Sequence, residues 1–195
     1  AGASGPWSVM CEAVPCVTAH PVSLGAWAGG AAGPALARYG PVEGDPEFRS
    51  AYADHVSQLY NAKIDCSEVQ ITSGCNQAFV ATVLALAGHG DRILMMRPCY
   101  FNHESTLGML GVGIDYVDCD TDGGLLPTYA LIDAAIRPQT RAIALVSPHN
   151  PAGSIYPAPL LADILTLCQK RGIWLILDET YRDFHSQTGA PHGLF

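Results

Sequence analysis

The stretch Trp174-Leu175-Ile176-Leu177-Asp178-Glu179-Thr180-Tyr181 decides the fold of this chain. Its first four residues are apolar and follow Gly172, and so short a run after a turn signal predicts a strand buried on both faces. Asp178 stands at the carboxyl end of that strand, where open α/β sheets bind their ligands, and Tyr181 follows on the departing loop. A carboxylate at this position indicates either a cap for the next turn or a ligand-binding residue.

Predicted strands and helices alternate along most of the chain. The predicted strands cover residues 22–25, 69–72, 92–96, 114–117, 141–146 and 173–177. The predicted helices cover 46–60, 77–87, 102–110, 127–136 and 157–171, and residues 1–21 read as an irregular arm. Strands separated by helices of this length need right-handed crossovers. We therefore expect an α/β fold, a three-layer α/β/α domain with a mostly parallel sheet and helices on both faces.

Composition narrows the class of protein. Of the 195 residues 49% are hydrophobic and 14% are charged, which is typical of a soluble globular chain. A net charge of −8 with ten Lys and Arg argues against nucleic-acid binding. No apolar run approaches the length of a membrane span and no signal peptide is recognisable, so we expect a cytoplasmic protein. Seven cysteines without a CxxC pair predict reduced thiols, and seven dispersed histidines do not predict a zinc site.

The segment Ser73-Gly74-Cys75-Asn76-Gln77 leads from a predicted strand into an apolar helix. Such a turn presents backbone N–H groups and the positive end of a helix dipole at the carboxyl edge of the sheet, which together favour a phosphate group. An ordinary strand-to-helix turn is the alternative. The segment matches neither the GxGxxG nor the GxxxxGK[ST] pattern, so it does not favour dinucleotide or Walker-type binding.

Two further predicted strands end in residues that bind ligands in other proteins. Tyr100 follows one of them and could stack on a flat cofactor or belong to the core. Asn150 lies between Pro148 and Pro151 and could be a turn residue or a fixed amide donor. Phosphate donors, a ring, an amide and the Asp178–Tyr181 pair along one edge together match the needs of pyridoxal phosphate.

Five segments carry a resemblance to a known family. They are Tyr39-Gly40-Pro41-Val42-Glu43-Gly44, Thr72-Ser73-Gly74-Cys75-Asn76-Gln77-Ala78, Pro98-Cys99-Tyr100, Asn150-Pro151-Ala152-Gly153 and Asp178-Glu179-Thr180-Tyr181. In order and spacing, over roughly residues 22–184, the chain resembles the class I/II aminotransferases of the aspartate aminotransferase fold. The resemblance implies a pyridoxal 5'-phosphate enzyme that transfers an amino group from an L-amino acid to a 2-oxo acid, and a homodimer.

The resemblance also implies a role for each site residue. Asp178 would pair with the protonated ring nitrogen of the cofactor. Asn150 and Tyr181 would hydrogen bond the phenolic oxygen of the ring, and Tyr100 would stack on its face.

The same resemblance assigns the phosphate and the substrate. Gly74, Cys75 and Asn76 would hold the phosphate through the turn. Tyr39 would reach the phosphate bound in the neighbouring subunit, and Gly25 would lie against the substrate carboxylate.

The family's reaction needs a lysine that forms a Schiff base with the cofactor and shuttles a proton. Lys63 and Lys170 are the two lysines of this chain, and neither follows a predicted strand. The family's lysine would lie beyond Phe195, so no catalytic residue is assigned here. We therefore expect a fragment that is inactive alone, with a sheet incomplete at the C-terminal side. Residues 1–38 would be an N-terminal arm with part of a small domain, and residues 39–195 a truncated large domain. A carbon–sulfur lyase of the same fold and a non-catalytic binding remnant are the alternatives.

Overall fold

The computed structural model describes residues 40–120, 122–184 and 189–195, together with the backbone of residues 9–10. The predicted strand at 22–25, Gly25 and Tyr39 lie outside the described residues. The strands are β1 (Val9–Met10), β2 (Arg92–Arg97), β3 (Gly113–Asp118), β4 (Thr140–Val146) and β5 (Trp174–Asp178). The helices are α1 (Pro46–Tyr60), α2 (Cys75–Leu86), α3 (Phe101–Met109), α4 (Tyr129–Ala135) and α5 (Ala158–Arg171), with 3-10 turns at Cys66–Glu68 and Arg182–Phe184.

The five strands form one sheet in the order β1-β5-β4-β2-β3, and every described pair is parallel. Strand β5 lies inside this sheet, with Asp178 opposite Val146 of β4 and Met10 of β1. The carboxyl ends of β4 and β5 therefore meet at one edge. The prediction of an α/β fold with a mostly parallel sheet is confirmed.

Helices cover both faces of the sheet. Alternate residues of β5 belong to different core clusters, because successive side chains of a strand point to opposite faces. Ile176 packs with Phe79 of α2 and Leu107 of α3 in one cluster. Leu175 and Leu177 pack with the helices of the other face, which contribute Ile132 from α4 and Leu161, Ile164 and Leu167 from α5. Each such side chain, when fully buried, stabilises the fold by about 1.5–3 kcal/mol.

Local signals set the ends of the helices as expected. The Asp45 side chain accepts a hydrogen bond of 2.9 Å from the backbone N–H of Phe48, and Pro46 occupies the first turn of α1. Both features satisfy or remove N–H groups that a helix leaves without partners at its start. At the C-terminal end of α5, Gly172 has φ 66°, a left-handed conformation that glycine adopts without a steric penalty.

Two expectations about strands are wrong. Residues 69–72 form no strand, and the backbone N–H of Ile71 donates to Glu43 O, outside any strand of the described residues. Val9–Met10, in the arm expected to be irregular, pairs with β5 because the edge of that strand offers unpaired backbone groups.

Two details of the helices also differ from expectation. The spacing of Phe48, Tyr52, Val56 and Leu59 predicts one apolar face on α1. The helix instead buries Ala53, Val56 and Tyr60, and Phe48 is 55% exposed. Helix α2 begins at Cys75, two residues earlier than predicted, so Cys75 and Asn76 belong to its first turn. Within the described ranges, no helix is both long and apolar enough to cross a bilayer.

Candidate functional site

Asp178 is the centre of the site. It is 3% exposed, and its Oδ1 accepts hydrogen bonds from the Thr180 backbone N–H at 2.9 Å and the Thr180 hydroxyl at 2.7 Å. His103 Nε2 lies 3.1 Å from Oδ2. Burial alone would raise the pKa of the Asp178 carboxyl, but the hydrogen bonds from His103 and Thr180 outweigh it and hold the pKa below its ordinary value. Asp178 is therefore an ionised carboxylate at neutral pH.

Thr180 and His103 are partners of Asp178 that the sequence did not predict, and His103 is the more distant of the two in the chain. It lies on α3 and is 2% exposed, with its ring stacked on Phe79 at 3.9 Å between centroids. The edge of the ring meets Tyr100, with centroids 5.1 Å apart and planes at 84°. Residues three apart share one side of a helix, so the spacing from Tyr100 was the available signal. His103 thus connects the predicted stacking ring to the Asp178 carboxylate.

The predicted phosphate turn lies directly beside Asp178. Cys75 Sγ donates to Asp178 Oδ1 over 3.4 Å. Gly74 is the N-cap residue of α2 with φ 89° and ψ 163°, and no side chain caps this helix start. The start of a helix attracts anions through its N–H groups and its dipole. The position that favours a negative group and the buried carboxylate are therefore separated by one side chain.

The loop that carries Asn150 is tied to the same edge of the sheet. The Ser147 backbone N–H donates to Asp178 O at 2.9 Å. His149 closes the loop, because its N–H donates to Ser154 O and its carbonyl accepts from the Gly153 N–H, at 2.8 and 2.7 Å. The Ala152 N–H donates to His149 Nδ1 at 3.2 Å. The half-buried Asn150 thereby lies in a closed turn that follows Ser147, the residue hydrogen-bonded to Asp178.

Not every predicted site residue contacts Asp178. Within the described residues, the side chains that contact its carboxylate are those of Cys75, His103 and Thr180. Tyr181 follows on the departing turn, is 39% exposed, and meets Phe184 edge to face with centroids 6.0 Å apart. The structure therefore brings the turn at 74–76, the Tyr100–His103 pair and Asp178 together, and places Asn150 and Tyr181 in the adjoining loops.

The arrangement can hold a small molecule of mixed charge. A cationic ring nitrogen would be stabilised by the Asp178 carboxylate, because a buried opposite charge favours the charged form. A phosphate would be stabilised a few ångströms away, at the start of α2.

Comparison with known proteins gives a consistent result. The profile of the family described as aminotransferase class I and II matches residues 20–193. The chain is 36% identical over 154 residues to an aromatic aminotransferase of Arabidopsis thaliana, covering 77% of this chain and 39% of that protein. It is 30% identical over 158 residues to the arginine–pyruvate transaminase of Pseudomonas aeruginosa, covering 80% of this chain and 40% of that protein.

A solved structure agrees in fold. A mutant aspartate aminotransferase of Thermus thermophilus superposes with a TM-score of 0.82 at 23% identity, over 96% of this chain and 52% of that one. The chain spans about two fifths of the length of the two relatives named above. Because the family profile covers most of its residues, the chain belongs to the class I and II aminotransferase family.

Proposed function

We propose that the complete protein is a pyridoxal 5'-phosphate-dependent aminotransferase that moves an amino group from an L-amino acid to a 2-oxo acid. The observation that carries the proposal is the buried Asp178 carboxylate, whose Oδ1 lies 3.4 Å from Sγ of Cys75, the first residue of α2. This juxtaposition offers one partner for a cationic ring nitrogen and one for a phosphate within the reach of a single small molecule.

The residues present fit this cofactor. When bound, pyridoxal phosphate supplies an electron-withdrawing ring that stabilises negative charge on the α-carbon of the substrate. Asp178 would keep the ring nitrogen protonated, and His103 would orient the carboxylate. The start of α2 at Gly74, Cys75 and Asn76 would hold the phosphate.

The other proposed cofactor ligands are Tyr100, Asn150 and Tyr181. Tyr100 is held by the edge contact to His103 and would stack on the ring. Asn150 and Tyr181 lie at the same edge, and we propose that they donate hydrogen bonds to the ring oxygen.

Three proposals rest on family membership alone. We propose that Tyr39 reaches the phosphate of a second subunit in a homodimer and that Gly25 lies against the substrate carboxylate. We further propose that the lysine that bonds the cofactor follows Phe195.

The Asp178→Asn variant of the full-length protein tests the proposed function. It keeps the size of the side chain and removes its charge, so we expect amino transfer to a 2-oxo acid to fall about 100-fold or more. The measurement is formation of the new amino acid, with ammonia release followed in parallel.

Asp163→Asn is the matched control, because Asp163 is an exposed carboxylate on α5. Its activity is expected to stay within about twofold of wild type, as for surface changes away from a site. Full activity of Asp178→Asn, or ammonia release without dependence on a 2-oxo acid, would contradict the proposed function.

A further inference from the structure

Glu179, the neighbour of Asp178 in the chain, belongs to a buried polar cluster on the other side of the sheet. Its side chain is 2% exposed, and the Tyr60 hydroxyl donates to its carboxyl group with 2.6 Å to each oxygen. His192 Nε2 lies 3.2 Å from Glu179 Oε1. The reaction proposed above uses none of these three side chains.

Aromatic contacts hold the partners of Glu179 in place. The Tyr60 and His192 rings stack with centroids 4.7 Å apart and planes at 28°. Phe195 meets the Tyr60 ring edge to face at 4.8 Å. Both partners of the Glu179 carboxyl group are therefore fixed by packing, one at the end of α1 and the other in the C-terminal residues 189–195.

Glu179 lies in the turn at 178–182, which also carries the proposed cofactor ligands Asp178 and Tyr181. The Arg182 N–H donates to Glu179 O at 2.9 Å, and the Thr180 N–H donates to Asp178 Oδ1. Glu179 also lines a small cavity together with Ser147, Tyr156 and Leu161. Glu179 is therefore joined to this turn through its backbone, and to α1 and the C-terminal residues through its side chain.

We propose that Glu179 is a positioning residue: by holding the chain just beyond β5 against Tyr60 and His192, it sets the direction in which Asp178 and Tyr181 face the cofactor. This inference rests on the proposed function. Asp178 and Glu179 follow one another at the end of a strand, so anchoring one side chain on its face restricts the other on the opposite face.

The alternative is that the cluster only stabilises the fold, and a comparison of variants of the full-length protein separates the two. Glu179→Ala removes the anchor, and Tyr60→Phe removes one hydroxyl group but keeps the stacked ring. Leu167→Ala is the control. Leu167 is a buried residue of α5 and packs in the same hydrophobic cluster as Leu175 and Leu177 of β5. Glu179→Gln retains an acceptor for the Tyr60 hydroxyl and is the conservative variant.

Three quantities are measured: the melting temperature, the dissociation constant for pyridoxal phosphate added to the cofactor-free protein, and the amide exchange rates of Thr180 and Arg182. We expect Glu179→Ala and Tyr60→Phe to raise the dissociation constant about tenfold and to speed exchange by at least as much. Leu167→Ala should lower the melting temperature as much as Glu179→Ala does, but it should change the dissociation constant and the exchange rates less than about twofold. Glu179→Gln should keep the dissociation constant within about threefold of the wild-type value.

Each other result counts against a specific claim. If Glu179→Ala and Tyr60→Phe lower cofactor affinity no more than Leu167→Ala does at equal loss of melting temperature, Glu179 is a stabilising residue and the inference is overturned. If Glu179→Ala does not fold, Tyr60→Phe decides by the same comparison. A wild-type protein that takes up no pyridoxal phosphate removes the proposed function and the inference with it.

Discussion

Asp178 and Glu179 are consecutive side chains buried on opposite faces of the sheet, and each lies against a histidine. His103 Nε2 is 3.1 Å from Asp178, and His192 Nε2 is 3.2 Å from Glu179. Their neighbours differ: Asp178 adjoins the start of α2 through Cys75, whereas Glu179 receives the hydroxyl of Tyr60. In the function and the inference proposed above, Asp178 would serve the cofactor on one face, and Glu179 would support the site from the other.

His149 makes the stability of the folded protein depend on pH. Burial lowers the pKa of His149, and a hydrogen bond to the backbone of Pro98 raises it only in part, so the net shift is downward. The folded protein then binds fewer protons than the unfolded chain at pH values just below about 6.5, the ordinary histidine pKa. The contribution of neutral His149 to the free energy of unfolding is complete above that pH and is lost as the pH falls through the lowered pKa.

We predict that His149→Gln removes this part of the acid sensitivity. The free energy of unfolding, measured by urea denaturation between pH 5 and 8, should fall less steeply toward acid pH in the variant than in wild type. His89→Gln, a change at an exposed histidine, is the control and should keep the wild-type slope. An unchanged slope in His149→Gln would show that His149 is not the titrating group.

At the scale of elements, the start of α2 depends on Gly74. Its φ of 89° and ψ of 163° lie in a region that side chains with a Cβ adopt only under strain. The Thr72 hydroxyl and the Gln77 N–H both donate to Gly74 O, at 3.1 Å each. The backbone at this position therefore determines where the first N–H groups of α2 point.

We predict that Gly74→Ala destabilises the protein by about 1–3 kcal/mol and weakens its affinity for pyridoxal phosphate, because the first turn of α2 must shift. Gly88→Ala is the matched control, since a Cβ there meets no atom within 4 Å and the backbone is not in the positive-φ region. Its cost should be below about 0.5 kcal/mol. Urea denaturation and cofactor titration measure both effects, and equal results for the two glycines would contradict the prediction.

At the scale of the whole molecule, two ion pairs join β2 and β3 at opposite ends of these strands. Arg92 and Asp115 pair near the start of β2 and β3, at 2.7 Å, and Asp115 is 6% exposed. Arg97 and Asp118 pair at the other end of the same strands, at 3.1 Å, but Asp118 is 78% exposed. The two pairs offer the same chemistry at very different burial.

We predict that Asp115→Asn lowers the free energy of unfolding by about 2 kcal/mol, because it leaves Arg92 without its buried anionic partner. Asp118→Asn should lower it by less than about 0.5 kcal/mol, since an exposed ion pair is screened by water. Urea denaturation of both variants is the measurement. Cofactor affinity should stay at the wild-type value in both, and equal losses of stability would refute the difference attributed to burial.

Much of the fold was predictable from the sequence alone. Helix α1 begins at Pro46 after Asp45, and α5 ends before Gly172, because caps and backbone preferences act over a few neighbouring residues. The apolar run at 174–177 predicted a buried strand because both of its faces must be covered. Asp178 at its end marked the edge where a ligand would bind, since that position follows from the topology of a parallel sheet.

Only the tertiary structure decided which distant side chains meet. His103 became a partner of Asp178, and Tyr60 and His192 became partners of Glu179, through packing between segments far apart in the chain. Residues 69–72 formed no strand, whereas Val9–Met10 did, because pairing depends on which strand edge lies nearby. Local preferences determine whether a segment is helical or extended, but contacts between segments depend on how all of them pack, and no single segment carries that information.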